Sequence, residues 1–282
     1  MQRRIGVIGG SGVYQISGLD GAQWRRVDTP WGAPSDEILT GQLAGVEMAF
    51  LPRHGRGHPI TPTELNARAN IDALKRAGCT DILAISAVGS LREELEPGRF
   101  AVVEQFIDRT VHRPSTFYTS GFVTHVSMAD PVCPRLSEMA AQAVAAAKGK
   151  VAVGATYLAM EGPQFSTRAE SRMYRAWGAD VIGMTAMPEA KLAREAELPY
   201  ALVGMVTDYD CWHPKEANVS ADLAIATLMK NAARAQAVAA AAVRISGHER
   251  PGSEAHSALA NALVTPVSAM SEAVRTRLGA LL

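Results

Sequence analysis

The sequence predicts an α/β fold in which helices flank a central mixed or mostly parallel β-sheet. Two observations lead to this prediction. Short apolar runs alternate along the chain with longer segments that have the periodicity of amphipathic helices. Glycine or proline separates many of these segments, as is usual at turns between strands and helices. The chain has 282 residues, 48% of them hydrophobic and 20% charged, which suffices for one large domain with a buried core.

Seven short apolar runs are predicted to be strands. Each is bounded by polar or turn-forming residues, which is the pattern of a buried strand. They comprise residues 4–8, 47–51, 80–86, 100–106, 151–158, 181–184 and 200–207. The first run ends in Gly9-Gly10-Ser11-Gly12, which predicts a tight loop directly after the strand.

Six segments are predicted to be helices. They comprise residues 66–77, 136–148, 168–177, 188–197, 221–245 and 267–281. Gly78, Gly149 and Gly178 follow the first three, at the position where glycine commonly ends a helix. No boundary divides the chain, so we expect one domain over residues 1–282. From about residue 248 the sequence is richer in small and polar residues before the last predicted helix.

Composition excludes several classes of partner and cofactor. The 28 basic and 28 acidic residues cancel, so no overall charge attracts nucleic acid or an anionic membrane, and any bound anion needs a local site. Cys79, Cys133 and Cys211 are odd in number and widely spaced, which argues against a disulfide framework and favours a reducing compartment. The apolar run near the N-terminus is too short for a signal sequence or a membrane span. We therefore expect a cytoplasmic protein that does not bind a membrane.

Polar residues follow five of the predicted strands. In open α/β sheets ligands bind beyond the carboxyl ends of the strands. The residues concerned are Ser11, Arg53, His54, Ser86, Ala87, Thr185 and Asp208. We therefore expect them to form one composite site.

Two of these segments suit an anion. The Gly9–Gly12 loop offers backbone amides and a hydroxyl, although it matches neither a dinucleotide fingerprint nor a P-loop, and a plain tight turn would also explain it. In RHGRGH, Arg53 presents a planar fork suited to phosphate and His54 adds a further donor, the alternative being a solvated basic turn. No HExxH motif or nearby carboxylate triad is present, so no metal site is predicted.

The acidic pair Asp208 and Asp210 suits a purine base. Residues at i and i+2 project to the same side of an extended chain, and buried carboxyl groups need hydrogen-bonding partners. One carboxyl group can address N7 of a purine and the other an exocyclic amine. A solvated acidic turn or a metal site is the alternative. No GxSxG motif surrounds Ser86 or Ser166, which disfavours a serine nucleophile.

Together these segments resemble the methylthioadenosine phosphorylase branch of the trimeric purine nucleoside phosphorylases. The resemblance covers almost the whole chain and is most specific at residues 53–91, 160–201 and 206–212 (VTDYDCW). It implies a single-domain phosphorylase fold and phosphorolysis of 5′-methylthioadenosine to adenine and 5-methylthioribose 1-phosphate. It further implies a homotrimer that needs inorganic phosphate as co-substrate and no cofactor.

The resemblance also implies roles for individual residues. Phosphate would be bound by Ser11, Arg53, His54, Ser86, the backbone amide of Ala87, and Thr185. Phe165 and Ser166 would contact the base of the nucleoside, and Met184 would lie under the ribose. Asp208 and Asp210 would be the catalytic pair that reads adenine. The 5′ group would be surrounded by His58, Ala221 and a neighbouring subunit's His125. Two positions depart from the family pattern, because Gly183 replaces a frequent asparagine and Ala221 a frequent valine.

Three other functions remain open from the sequence. A phosphorylase for 6-oxopurine nucleosides or methylthioinosine would share the fold, although an asparagine is expected there in place of Asp208. A nucleosidase would use water and would have little need of Arg53 and His54. A non-catalytic nucleoside-binding protein would keep the base pocket without phosphate-dependent turnover.

Overall fold

The structure is a computed structural model that describes residues 3–10, 18–216 and 218–282. Within these ranges nine strands form one mixed sheet and six α-helices pack around it, which confirms the predicted α/β class. The strands are β1 (Arg4–Gly9), β2 (Asp20–Arg25), β3 (Ile38–Leu43), β4 (Val46–Pro52), β5 (Asp81–Ser90), β6 (Phe100–Arg109), β7 (Val151–Met160), β8 (Val181–Gly183) and β9 (Tyr200–Asp208). The helices are α1 (Ala67–Arg76), α2 (Pro134–Ala146), α3 (Arg168–Ala176), α4 (Ala186–Glu195), α5 (Ala221–Ser246) and α6 (Glu272–Leu278).

The strand order places several strand ends at one edge. The order is β2-β3-β4-β1-β5-β8-β7-β6-β9. Because β9 also pairs with β5, the five strands β5, β8, β7, β6 and β9 form a closed sheet. β1 is parallel to both β4 and β5, and β5 is parallel to β9. The carboxyl ends of β4, β1, β5 and β9 therefore point in one direction.

The site is not formed by five strand ends, as the sequence suggested. Ser86 and Ala87 lie inside β5, which extends to Ser90 because its ladder with β9 continues past Ser86. β8 runs antiparallel to β5, with Ile182 opposite Gly89. The chain after β8 therefore returns alongside β5, and this brings Thr185 to Ser86.

Two strands and one helix differ from prediction. β2 and β3 were not predicted. β2 (DGAQWR) is almost entirely exposed, so pairing with β3 rather than a buried apolar face forms it, and β3 (ILTGQL) has polar residues and a glycine in place of a continuous apolar run. The last predicted helix is wrong in extent: a 3₁₀ turn covers Val267–Ala269, and α6 begins only after Ser271. The Ser271 hydroxyl accepts from the Val274 backbone N–H and caps a new helix. The other predicted strands and helices are present with ends shifted by a few residues.

Apolar layers cover both faces of the sheet. Side chains alternate along β1, so that Ile8 packs in one cluster with α1 and α4, while Val7 packs in the other with α2 and α5. The segment after residue 248 adds Leu259 and Leu278 to the first cluster. No helix in the described part of the chain combines the length and apolar character needed to cross a membrane.

Candidate functional site

A cleft of about 230 Å³ opens at the edge where β1, β5 and β9 end. Nine of the residues that the sequence analysis proposed line it together: His54, His58, Ser86, Ala87, Phe165, Met184, Thr185, Asp208 and Asp210. Apolar and small side chains that were not proposed complete the wall, among them Val88, Gly89, Met160 and Ile182. The cleft therefore joins the segments suited to an anion and the acidic pair in one space.

Two hydroxyl groups lie close together in the wall of the cleft. The Ser86 and Thr185 oxygens are 3.0 Å apart, and both side chains are buried. When one hydroxyl donates to the other, one of the pair keeps a hydrogen for an anion. The Gly10 backbone lies beside them, since its N–H donates to the Ile85 carbonyl over 3.0 Å.

Arg53 lies behind the cleft and is held by a residue that the sequence analysis missed. Its Nε and Nη2 donate to the two carboxylate oxygens of Glu189 over 2.8 and 3.0 Å, and its Nη1 donates to the Ile85 carbonyl over 3.1 Å. Tyr200 also donates to Glu189, over 2.8 Å. Burial alone would lower the pKa of Arg53, but the Glu189 carboxylate raises it, so the guanidinium remains a cation. Glu189 and Arg53 are 136 residues apart, and no sequence motif links them.

His54 is held in one tautomer. Its Nδ1 lies 2.8 Å from the Ile60 carbonyl oxygen, and a carbonyl only accepts, so we assign the hydrogen to Nδ1. Burial lowers the pKa of His54 to about 4, and the ring is therefore neutral near pH 7 with an acceptor at Nε2. His58 stacks on this ring at a centroid distance of 4.1 Å.

The two carboxyl groups at the other end of the cleft have raised pKa values. Asp208 is 5% exposed, and burial raises its pKa although its oxygens accept from the Asp210 backbone N–H and the Thr207 hydroxyl. Burial also raises the pKa of Asp210, an effect that the nearby Ser171 and Ser166 hydroxyls partly offset. Among the described residues, Oδ2 of Asp210 has no hydrogen-bond partner. This end of the cleft can thus supply a proton and accept a hydrogen bond from a ligand.

Three further proposed residues do not line the cleft. Ser166 is outside the cleft wall and accepts the Cys211 thiol at its carbonyl over 3.3 Å. Ala221 is exposed as the first residue of α5, and Ala224, one turn later, contacts the cleft instead. His125 is exposed and lines a different cavity, next to Arg194. Ser11 lies outside the described residues.

The described ranges 3–10, 18–216 and 218–282 contain no group of three or more His, Cys, Asp or Glu side chains arranged to hold a metal ion.

Comparisons with known proteins agree with one another. A sequence model described as the phosphorylase superfamily matches residues 4–244. An S-methyl-5′-thioadenosine phosphorylase from Cereibacter sphaeroides is 60% identical over 89% of this chain and 86% of its own length, and one from Rhodospirillum rubrum is 54% identical over 93% and 90%.

Solved structures give the same result. A crystal structure of a methylthioadenosine phosphorylase from an antarctic soil metagenomic library superposes with a TM-score of 0.94 at 54% identity, covering 99% of both chains. A methylthioadenosine phosphorylase from Schistosoma mansoni in complex with adenine gives a TM-score of 0.80 at 39% identity, over 87% of this chain and 92% of its own.

Proposed function

The chain belongs to the phosphorylase superfamily, and we propose that it cleaves 5′-methylthioadenosine with inorganic phosphate to adenine and 5-methylthioribose 1-phosphate. One observation supports this most directly: a single cleft has hydroxyl groups suited to phosphate at one end and two carboxyl groups with raised pKa values at the other. A nucleoside lying between them would present its C1′ to phosphate and its base to the carboxyl groups.

Phosphate would act as the nucleophile. We infer that Ser86 and Thr185 hold its oxygens, that the Arg53 cation lies behind it, and that Ser11 completes the site. A bound dianion beneath C1′ stabilises the positive charge that develops on the sugar as the C1′–N9 bond breaks, and then forms the new C1′–O bond. The neutral His54 ring presents an acceptor at Nε2, which suits the hydrogen of monohydrogen phosphate.

Adenine would leave with a proton. Asp208 has a raised pKa and would donate to N7, while Oδ2 of Asp210 accepts from the exocyclic amine. The reaction balances, because monohydrogen phosphate loses one proton and the departing base gains one. Oxygen at position 6 of a 6-oxopurine would offer no hydrogen to Asp210, and this disfavours inosine-type substrates.

The subunit arrangement and location form a second part of the proposal. We infer a homotrimer in which His125 approaches the 5′ group in a neighbouring subunit; its exposure, away from the cleft of its own chain, supports this role. The three cysteines are free, which supports a cytoplasmic location. Analytical ultracentrifugation tests the trimer, and loss of nucleoside affinity in His125→Ala without loss of assembly would support the shared site.

A substrate panel tests the choice of base. Methylthioadenosine, adenosine, methylthioinosine and inosine are each incubated with phosphate, and the released base is measured. The proposal predicts the highest kcat/KM for methylthioadenosine. A preference for either inosine compound would overturn the assignment of adenine to the two carboxyl groups.

A further inference from the structure

Loops that border the nucleoside side of the cleft meet at one buried arginine, Arg113. Its side chain is 4% exposed, although it lies in the irregular segment after β6. It is not among the residues that line the cleft. Any effect of Arg113 on a ligand must therefore act through the residues that it holds.

Arg113 first holds the turn after β8. Its Nη1 donates to the carbonyls of Met184 and Met187 over 2.5 and 2.8 Å. Pro188 has no N–H, so the Met184 carbonyl has no backbone donor four residues later and needs one from outside the turn. Met187 also has extended backbone angles, so regular helical bonds do not define this turn. Arg113 is thus bonded to the backbone of Met184, a cleft residue.

Arg113 also holds the loop after β7. Its Nε donates to the Glu161 carboxylate over 2.9 Å and its Nη2 to the Glu161 carbonyl over 2.6 Å. The same carboxylate accepts the backbone N–H groups of Val111 and His112 and the Thr63 hydroxyl. Burial alone would raise the pKa of Glu161, but the hydrogen bonds from Val111, His112 and Arg113 lower it to about 2, so the carboxylate remains charged at any ordinary pH.

The two loops also touch each other directly. A Cβ added to Gly162 would lie 2.5 Å from the Met184 sulfur, and Gly162 has a φ of 71°. The backbone after Glu161 is therefore packed against Met184 with no space for a side chain. A shift of Glu161 must move Met184 and the following loop, which carries Phe165.

We propose that Arg113 is a positioning residue that holds Met184 and the Phe165 loop in the geometry that binds the nucleoside. This inference rests on the proposed function. Other contacts hold the phosphate side: Ser86 lies in the β5–β9 ladder, and Glu189 holds Arg53. Thr185 belongs to the turn that Arg113 holds, but its hydroxyl is also bonded to Ser86 over 3.0 Å and its backbone N–H to the Tyr157 hydroxyl over 3.4 Å. Loss of Arg113 is therefore expected to weaken nucleoside binding far more than phosphate binding.

The test compares Arg113→Met and Arg113→Lys with a matched control. Methionine has a similar length but no donors, whereas lysine keeps the charge without the fork. Arg113→Met is expected to raise the nucleoside KM by about tenfold or more, with the phosphate KM changed less than about threefold. Arg113→Lys is expected to recover part of the loss. The control Arg135→Met removes an arginine bound to the buried Asp81, at the opposite end of β5, and is expected to change neither KM.

A binding measurement separates this inference from the proposed function. Calorimetric titration with adenine requires no turnover, and Arg113→Met is expected to weaken adenine binding while Arg135→Met does not. Unchanged adenine affinity and nucleoside KM in Arg113→Met would overturn the positioning role, as would an equal rise in both KM values. If Arg113→Met fails to fold, Arg113→Lys provides the same comparison, with an unchanged nucleoside KM as the contradicting result. Absence of phosphate-dependent cleavage in the unmodified protein would overturn the proposed function but leave the adenine titration interpretable.

Discussion

Replacement of Asp208 by asparagine removes the proposed acid with little disturbance of its surroundings. Oδ1 accepts the Asp210 backbone N–H over 2.8 Å, and the amide oxygen of asparagine can accept the same bond. Oδ2 accepts the Thr207 hydroxyl over 2.7 Å, and that hydroxyl also lies 3.2 Å from the Val88 carbonyl. In the variant the hydroxyl can donate to Val88 and accept from the new amide. We therefore expect the fold to be retained.

The expected loss of reaction rate is the contribution of a general acid. A positioned acid contributes about 10²–10⁴ in rate, which is roughly 3–5 kcal/mol of barrier. Asp208→Asn should therefore lower kcat for methylthioadenosine by about two to four orders of magnitude. Stability should change little, since both hydrogen bonds have replacements. Burial raises the pKa of Asp208, which favours the protonated form of this carboxyl group relative to an exposed aspartate.

Steady-state release of adenine, followed by absorbance or chromatography, measures this loss. Asp72→Asn is the matched control, because Asp72 is also a buried carboxyl group with a raised pKa but lies in α1, away from the cleft. Phosphate protection against thermal unfolding should persist in both variants. A folded Asp208→Asn enzyme with near-normal kcat would refute the acid role.

Three further predictions follow from the same geometry. Gly89→Ala places a methyl group 2.8 Å from the Asp208 carboxylate, so kcat/KM should fall by about tenfold or more with a stability cost of about 1–3 kcal/mol; unchanged kinetics would contradict the contact. Gly183→Ala places a methyl group 2.0 Å from the buried Tyr157 hydroxyl, so thermal unfolding should show a loss of about 1–3 kcal/mol or more; a neutral result would contradict the packing. The pKa of His54 falls from 6.5 to about 4 on folding, so between these pH values the unfolded chain binds a proton that the folded chain does not, and the free energy of unfolding decreases as pH falls from 6.5 to about 4. His54→Asn should abolish up to about 3 kcal/mol of that decrease, measured by denaturant unfolding. Identical pH profiles of stability in the two proteins would contradict this prediction.

The central strands could be predicted because burial on both faces gives them continuous apolar runs. β9 (YALVGMVTD) is buried at every position, and a sequence pattern identifies such a strand directly. β2 is the opposite case, since its exposed polar residues become a strand only by pairing with β3. The break before α6 depends on the cap at Ser271, which the helical periodicity of the C-terminal segment conceals.

The residues that line the cleft were easier to predict than those that hold them. Asp208 and His54 stand in motifs whose chemistry is visible in the sequence. Glu189 and Arg113 act through contacts with residues distant in the chain, and neither stands in a motif that indicates its partner. Position along a helix was also difficult, because one turn separates Ala221 from Ala224, which contacts the cleft.

The identity of the sugar product tests the central claim most directly. The purified protein is incubated with methylthioadenosine with and without inorganic phosphate, and both the base and the sugar are identified by mass spectrometry. Phosphorolysis predicts adenine and 5-methylthioribose 1-phosphate in equal amounts, formed only when phosphate is present. Release of adenine with free 5-methylthioribose at the same rate in the absence of phosphate would contradict it.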